Sequence, residues 1–195
     1  MRFKVLLVLA ILLCSVQAHA RTSEGPTHQA RKFSISTNIL GYAELGTMNA
    51  EVSYALSRRW SLTAGARYNP FTYYKGEPSR QFQLRQQSYS VGARLWPWHI
   101  WSGWWFATKA RYQEYNMGGI FSRQTSEGDR VGLGLYSGYT LMLSKHFNME
   151  FGLGLWGGLD VYRMYSCPSC GLTVDEGKKG FVLPDDIMVS FVYVF

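Results

Sequence analysis

Cys167 and Cys170, separated by Pro168 and Ser169, are the residues of this 195-residue chain best placed to do chemistry. Thiols at that spacing can close a local disulfide, cycle as a redox pair, or supply half of a four-ligand zinc site. A thioredoxin-like redox pair needs a βαβ context, and this motif instead falls in the longest loop of a β-patterned chain. The histidines that could complete a metal site stand elsewhere: His28 in the N-terminal segment, His99 and His146 in turns on the opposite side. The reading of the pair as a disulfide that rigidifies the loop tip therefore leads, with metal binding between two molecules or a redox role as alternatives. Lipid-modifying catalysis would need a His with a Ser or carboxylate at the level of the outer leaflet, and neither His99 nor His146 lies there. No catalytic residue, metal ligand or cofactor is expected.

The second constellation is ionic. Glu51, Arg67, Arg94, Lys109, Arg111 and Glu150 stand on five apolar-alternating segments, always on the face opposite the apolar one. Inside a narrow barrel such charges must pair, because a buried charge left alone costs about several kcal/mol. Two uses follow: a plugged core that fixes strand register, or an anion-leaning pore gated by rearranging the pairs. Gly132, Gly134, Gly152 and Gly154 share that face, either to make room for large side chains or to let strands bend.

The elements that must position these groups have period two. Phe33, Ile35, Thr37 and Ile39 begin the series. Met48 to Leu56, Trp60 to Tyr68, Tyr89 to Leu95, Trp104 to Tyr112, Val131 to Leu141 and Phe147 to Leu155 continue it, each with small or polar residues between. The last strand closes with Ile187, Val189, Phe191, Tyr193 and Phe195 on one face. Eight strands without a helical stripe predict an all-β fold. A soluble sandwich or lipocalin-like barrel shares that pattern, and the connections separate the readings. Turns at 57–59, 98–103 and 144–146 are short. Loops at 69–87, 115–129 and 160–184 are long, the first at 41–46 excepted. Short turns at one end and long loops at the other predict an eight-stranded antiparallel transmembrane outer-membrane barrel with both termini in the periplasm. None of these outward positions carries a charge, where Arg or Lys costs about 2–4 kcal/mol at the bilayer midplane. Tyr and Trp cluster near the ends of the apolar segments, as interfacial girdles require.

The chain's ends fit that location. Arg2 and Lys4, an apolar run from Val5 to Leu13 and Ala18-His19-Ala20 read as a secretory signal peptide over residues 1–20. Cys14 behind Leu12-Leu13 suggests a lipoprotein signal instead, which bulky Leu13 disfavours. A periplasmic segment at 21–32 and a barrel domain at 33–195 follow. Without the leader, 18 basic residues oppose 13 acidic ones, a net charge of +5. That charge is scattered, with no basic run to bind nucleic acid. The terminal Val189, Phe191, Tyr193 and Phe195 resemble the signal read by the barrel-assembly machinery.

Thr37-Asn38-Ile39-Leu40, Arg67-Tyr68-Asn69-Pro70-Phe71, Tyr115-Asn116-Met117-Gly118-Gly119, the C-x-x-C-G of Cys167 to Gly171 and the closing Phe191-Val192-Tyr193-Val194-Phe195 together carry a family resemblance. Over roughly residues 33 to 195 the chain resembles uncharacterised small outer-membrane barrels of Gram-negative gut anaerobes, a domain of unknown function. Such members are often encoded near fimbrial subunit genes, which implies surface-appendage assembly or adhesion. Gly41-Tyr42-Ala43-Glu44 departs from the Leu-Tyr-Asp-like run the resemblance leads one to expect. The family offers no catalytic or binding residues to carry over.

The expectation is a monomeric barrel in the outer membrane of a Gram-negative bacterium, acting as a structural or interaction protein through its long loops. Its partners would be outer-membrane lipid, the assembly machinery and a surface or fimbrial protein. Tyr73, Tyr74, Lys75 and the stretch Tyr162 to Tyr165 are candidate contact anchors, or else part of an interfacial girdle. A narrow solute pore is the alternative, and a lipid-modifying enzyme the third reading.

Overall fold

The computed structural model describes residues 31–75, 77–119, 124–167 and 171–195. The expected leader and residues 21–30 lie outside them. Strands β1 (Phe33–Asn38), β2 (Met48–Ala55), β3 (Trp60–Asn69), β4 (Thr72–Lys75), β5 (Glu77–Leu95), β6 (Gly103–Gly118), β7 (Thr125–Met142), β8 (Phe147–Tyr165) and β9 (Thr173–Val194) form one antiparallel sheet. The sheet closes on itself. β1 pairs with β9 through Ile35 opposite Tyr193, and β3 pairs with β5 from Trp60–Leu95 to Asn69–Gln86. Closure removes the sheet edges that an open arrangement of these strands would expose.

The result is a closed eight-stranded antiparallel barrel, because β3 and β4 form one stave. Pro70 has no N–H for the ladder, and Asn69 bridges the break by accepting from Phe71 N at 3.0 Å. β4 then resumes the pairing with β5.

Alternation decides what each stave buries. The pairs Trp104–Tyr139, Ala110–Leu133 and Leu135–Leu155 lie outward. Tyr136, Trp105 and Trp156 on the intervening positions are buried inside. The interior glycines make the room for these rings. A Cβ on Gly154 would stand 2.2 Å from Tyr136 Cδ1, and one on Gly138 2.4 Å from Trp105 Cζ2. Gly134 faces Tyr136 and Gly152 faces Trp105 in the same way, so these positions serve space. We expect Gly154→Ala to lower unfolding stability in lipid by about 1–3 kcal/mol through overpacking. Urea unfolding checks it, and partial recovery in a Gly154→Ala/Tyr136→Ala double variant identifies the ring as the cause.

Two expectations need correction. β1 ends at Asn38, and Ile39, read as strand, opens a short helix α1 (Ile39–Ala43). Asn38 is its N-cap: Oδ1 accepts from Leu40 N at 3.2 Å and from Val189 N at 3.1 Å, tying the helix start to β9. The three segments read as long loops are mostly strand. β5 begins at Glu77, β6 reaches Gly118 and β8 reaches Tyr165, so the loop end consists of hairpins that continue the barrel wall.

Candidate functional site

All six charges anticipated from alternation face the interior, and they join in two clusters. Arg94, with a side chain 3% exposed, is the centre of the lower one. Its Nη1 donates to Glu150 Oε1 and Oε2 at 3.0 and 2.8 Å, and its Nη2 donates to Glu51 Oε1 at 2.8 Å. Lys109 Nζ donates to the other oxygen of Glu51, and Thr140 Oγ1 donates to Glu150 Oε1 at 3.1 Å. Four staves supply its charges, β2, β5, β6 and β8, and β7 supplies Thr140. The Arg94 guanidinium also lies 4.2 Å from the centroid of the Trp105 ring and 5.5 Å from that of Trp96.

The upper cluster joins Arg67 and Arg111 to Asp185. Arg111 Nη1 donates to Asp185 Oδ1, and Arg67 Nη1 stands 3.9 Å from the same oxygen. Tyr136 Oη donates to the second oxygen. A cavity of about 60 Å³ lies between the clusters, room for about two water molecules. Buried side chains of both clusters line it, among them Arg94, Lys109, Arg111 and Glu150.

Asp185 was not anticipated, for a structural reason. Opposite Leu153 and Leu155 on β8 stand Ile187 and Pro184 on β9, so β9 carries one extra residue. This bulge reverses inward and outward in β9, and Asp185, which counting back from Phe195 would place outward, turns in. Asp160 was missed too, although unbroken alternation along β8 puts it inward with Glu150. It is fully buried, accepting from Tyr115 Oη at 2.9 Å and Arg130 Nε at 3.2 Å, with Lys179 Nζ at 3.9 Å.

Below the clusters the turn between β5 and β6 folds into the barrel mouth. Trp96, Ile100 and Trp101 are buried there with Trp105, Met188, Val192 and Val194. Trp96 Nε1 donates to Ser61 Oγ at 3.1 Å and Trp101 Nε1 to the Arg31 carbonyl at 3.0 Å. The turn expected only as a connection is thus a plug. Parity gives no hint of it, because turns have none.

Above them the hairpins enclose a vestibule of about 780 Å³, lined by Arg67, Arg111, Arg130, Trp156, Asp185 and apolar residues including Leu84 and Met117.

The remaining candidates are placed as follows. Cys167 follows β8, while Cys170 lies outside the described residues, and their pairing with it. His99 and His146 sit at the turn end, each donating from Nδ1 to a backbone carbonyl at 2.9 Å, of Ile100 and Val194. Val189, Phe191 and Tyr193 share the outer face of β9 and Phe195 follows its end, Tyr193 meeting Phe195 and Phe147 edge-on at 4.9 Å. Tyr73 donates to the Leu45 carbonyl at 3.1 Å and Tyr165 to Glu127, so both rings are engaged within the loop end. Among the described residues no group of three potential ligands could hold a metal ion.

The family model described as "Protein of unknown function (DUF3575)" matches residues 6–195. No curated protein and no solved structure matches the chain.

Proposed function

From the premise that this chain belongs to the DUF3575 family of proteins of unknown function, we propose that it is a monomeric outer-membrane barrel that acts as a structural or interaction protein. The hairpins of the loop end are its working surface.

One observation carries the reading: the barrel is apolar outside and ionic inside. Val91, Leu133, Leu135, Leu153 and Ile187 are exposed on its wall, while Arg94, Lys109, Arg111 and Glu150 are buried within. Water favours the opposite arrangement, and a contiguous apolar surface of this kind fits an apolar solvent around it. The belt has edges. Trp60 and Tyr68 bound it on β3, and Trp104 and Tyr112 on β6, with all four rings exposed. Nine residues separate belt edges inclusively, a span that fits the ~9–11 residues of a tilted membrane strand. Tyr112 Oη donates to Glu114 at 3.1 Å and to Asp129 at 2.9 Å on the outer wall, marking the level at which the surface becomes polar. Beyond Tyr112, β6 runs on to Gly118, which lifts the hairpins about 20 Å along the strand clear of the belt.

The ionic clusters and the tryptophan plug favour a closed anchor over the pore reading. Its proposed partners are a surface or fimbrial protein at the hairpins, lipid around the wall and the assembly machinery at the terminal strand. The test is heat-modifiability of membrane-extracted protein, with surface proteolysis of intact cells and planar-bilayer recording. We expect faster migration before heating, cleavage confined to the hairpins, and no discrete conductance. Absence of a mobility shift would remove the membrane reading. Steady channels altered by Glu51→Gln would replace the anchor with a pore.

A further inference from the structure

The vestibule has the dimensions of a binding site. Its volume of about 780 Å³ lies within the ~300–1,000 Å³ typical of small-molecule sites. It stands on the loop-end side of the ionic clusters and is closed from the other end by them and by the plug.

Among the described residues its lining holds the cations Arg67, Arg111 and Arg130 against the carboxylates Glu44 and Asp185. The carboxylates nearest the vestibule are withdrawn: the side chains of Asp160 and Asp185 are 0% and 5% exposed. The cations beside them are accessible, Arg67 at 21% and Lys179 at 52%. Among the described lining residues, Glu44 is the exposed acid.

Arg130 adds the second observation. It spends Nε on Asp160 and rests 3.9 Å from the centroid of the Tyr115 ring. Its two terminal nitrogens make no hydrogen bond among the described residues. A guanidinium locked at Nε and by stacking, with its fork left over, is preorganised for a bidentate oxyanion. Trp156, Leu84, Met117, Leu183 and Pro184 supply apolar wall beside it.

We propose that the vestibule binds a small organic oxyanion, a carboxylate or phosphate with an apolar body. Arg130 grips the charged group, Arg67 attracts it, and the apolar body lies against the wall at Trp156. Polar specificity comes from Gln86 and Gln113, which are already oriented by each other: Gln113 Nε2 donates to Gln86 Oε1 at 2.6 Å.

The test is calorimetric titration of the folded barrel in detergent with phenyl phosphate, inorganic phosphate and benzyl alcohol. We expect saturable binding of phenyl phosphate, weaker binding of inorganic phosphate and none of benzyl alcohol. Arg130→Lys keeps a cation for Asp160 but removes the fork, and should weaken phenyl phosphate about tenfold. Arg67→Gln should weaken it too, with the gel mobility shift of both variants intact. Competition by dihexanoyl phosphatidate would identify a lipid headgroup as the source of the anion, and its failure to compete a free solute. No saturable binding, equal binding of benzyl alcohol, or wild-type affinity in Arg130→Lys would overturn the proposal.

Discussion

Replacing Arg94 with leucine is expected to produce the largest loss of stability of any single interior substitution. Among the described residues Arg94 alone touches both Glu150 and Glu51, at 2.8 Å each, from a nearly sealed position. Its removal leaves Glu150 with Thr140 as its hydrogen-bond donor, and leaves Glu51 with Lys109. Breaking one side of a buried pair costs about 3–5 kcal/mol, much of it the penalty of the charge left behind. The ring contacts to Trp105 and Trp96 go with it, which loosens the plug as well. Urea unfolding in lipid vesicles measures the effect. Arg94→Leu combined with Glu150→Gln should recover a substantial part, because the stranded charge is gone. If the double variant is as weak as the single one, packing around Trp105 matters more than charge, and the ionic reading of the interior fails.

Leu135→Arg is expected to lower stability by about 2–4 kcal/mol, the cost of a cation at the lipid-facing midplane of a barrel. Leu135 is 71% exposed near the middle of the outward apolar run from Val131 to Leu141. It opposes Leu155 on β8, so its surroundings on that side are apolar too. The prediction separates two worlds sharply. On a water-facing wall an exposed substitution changes stability by only about ±0.5 kcal/mol, and removing a bare leucine would favour solubility. Unfolding of wild type and variant in phosphatidylcholine vesicles decides it. Equal stability, or a variant that is better behaved without detergent, would remove the bilayer from the account.

The two substitutions probe parts of the molecule that differed in how readable they were. Leu135 and Arg94 were both legible, because strand alternation is a local property: neighbouring side chains point to opposite faces whatever the partner strand. That rule put Glu51, Arg67, Arg94, Lys109, Arg111 and Glu150 on one side and the leucines and aromatics on the other. Followed without interruption it also reaches Tyr136, Trp105, Trp156 and Asp160. Ile39 broke the rule, since Asn38 caps a helix by bonding both Leu40 and Val189, and the second of these partners is 151 residues away.

By itself, then, the amino-acid order determined an all-β barrel of eight staves, which face of each stave is apolar, and which charges must be neutralised within. Those follow from periodicity and from the cost of stranding a charge. The tertiary structure alone decided which cation meets which carboxylate, because that depends on the stagger between staves. It also decided that β9 bulges between Pro184 and Ile187 and turns Asp185 inward, that the β5–β6 turn enters the mouth as a plug, and that the expected loops continue as strand. Each of these is a choice of distant hydrogen-bonding partner, made by the β-ladder as a whole and written in no single segment of the chain.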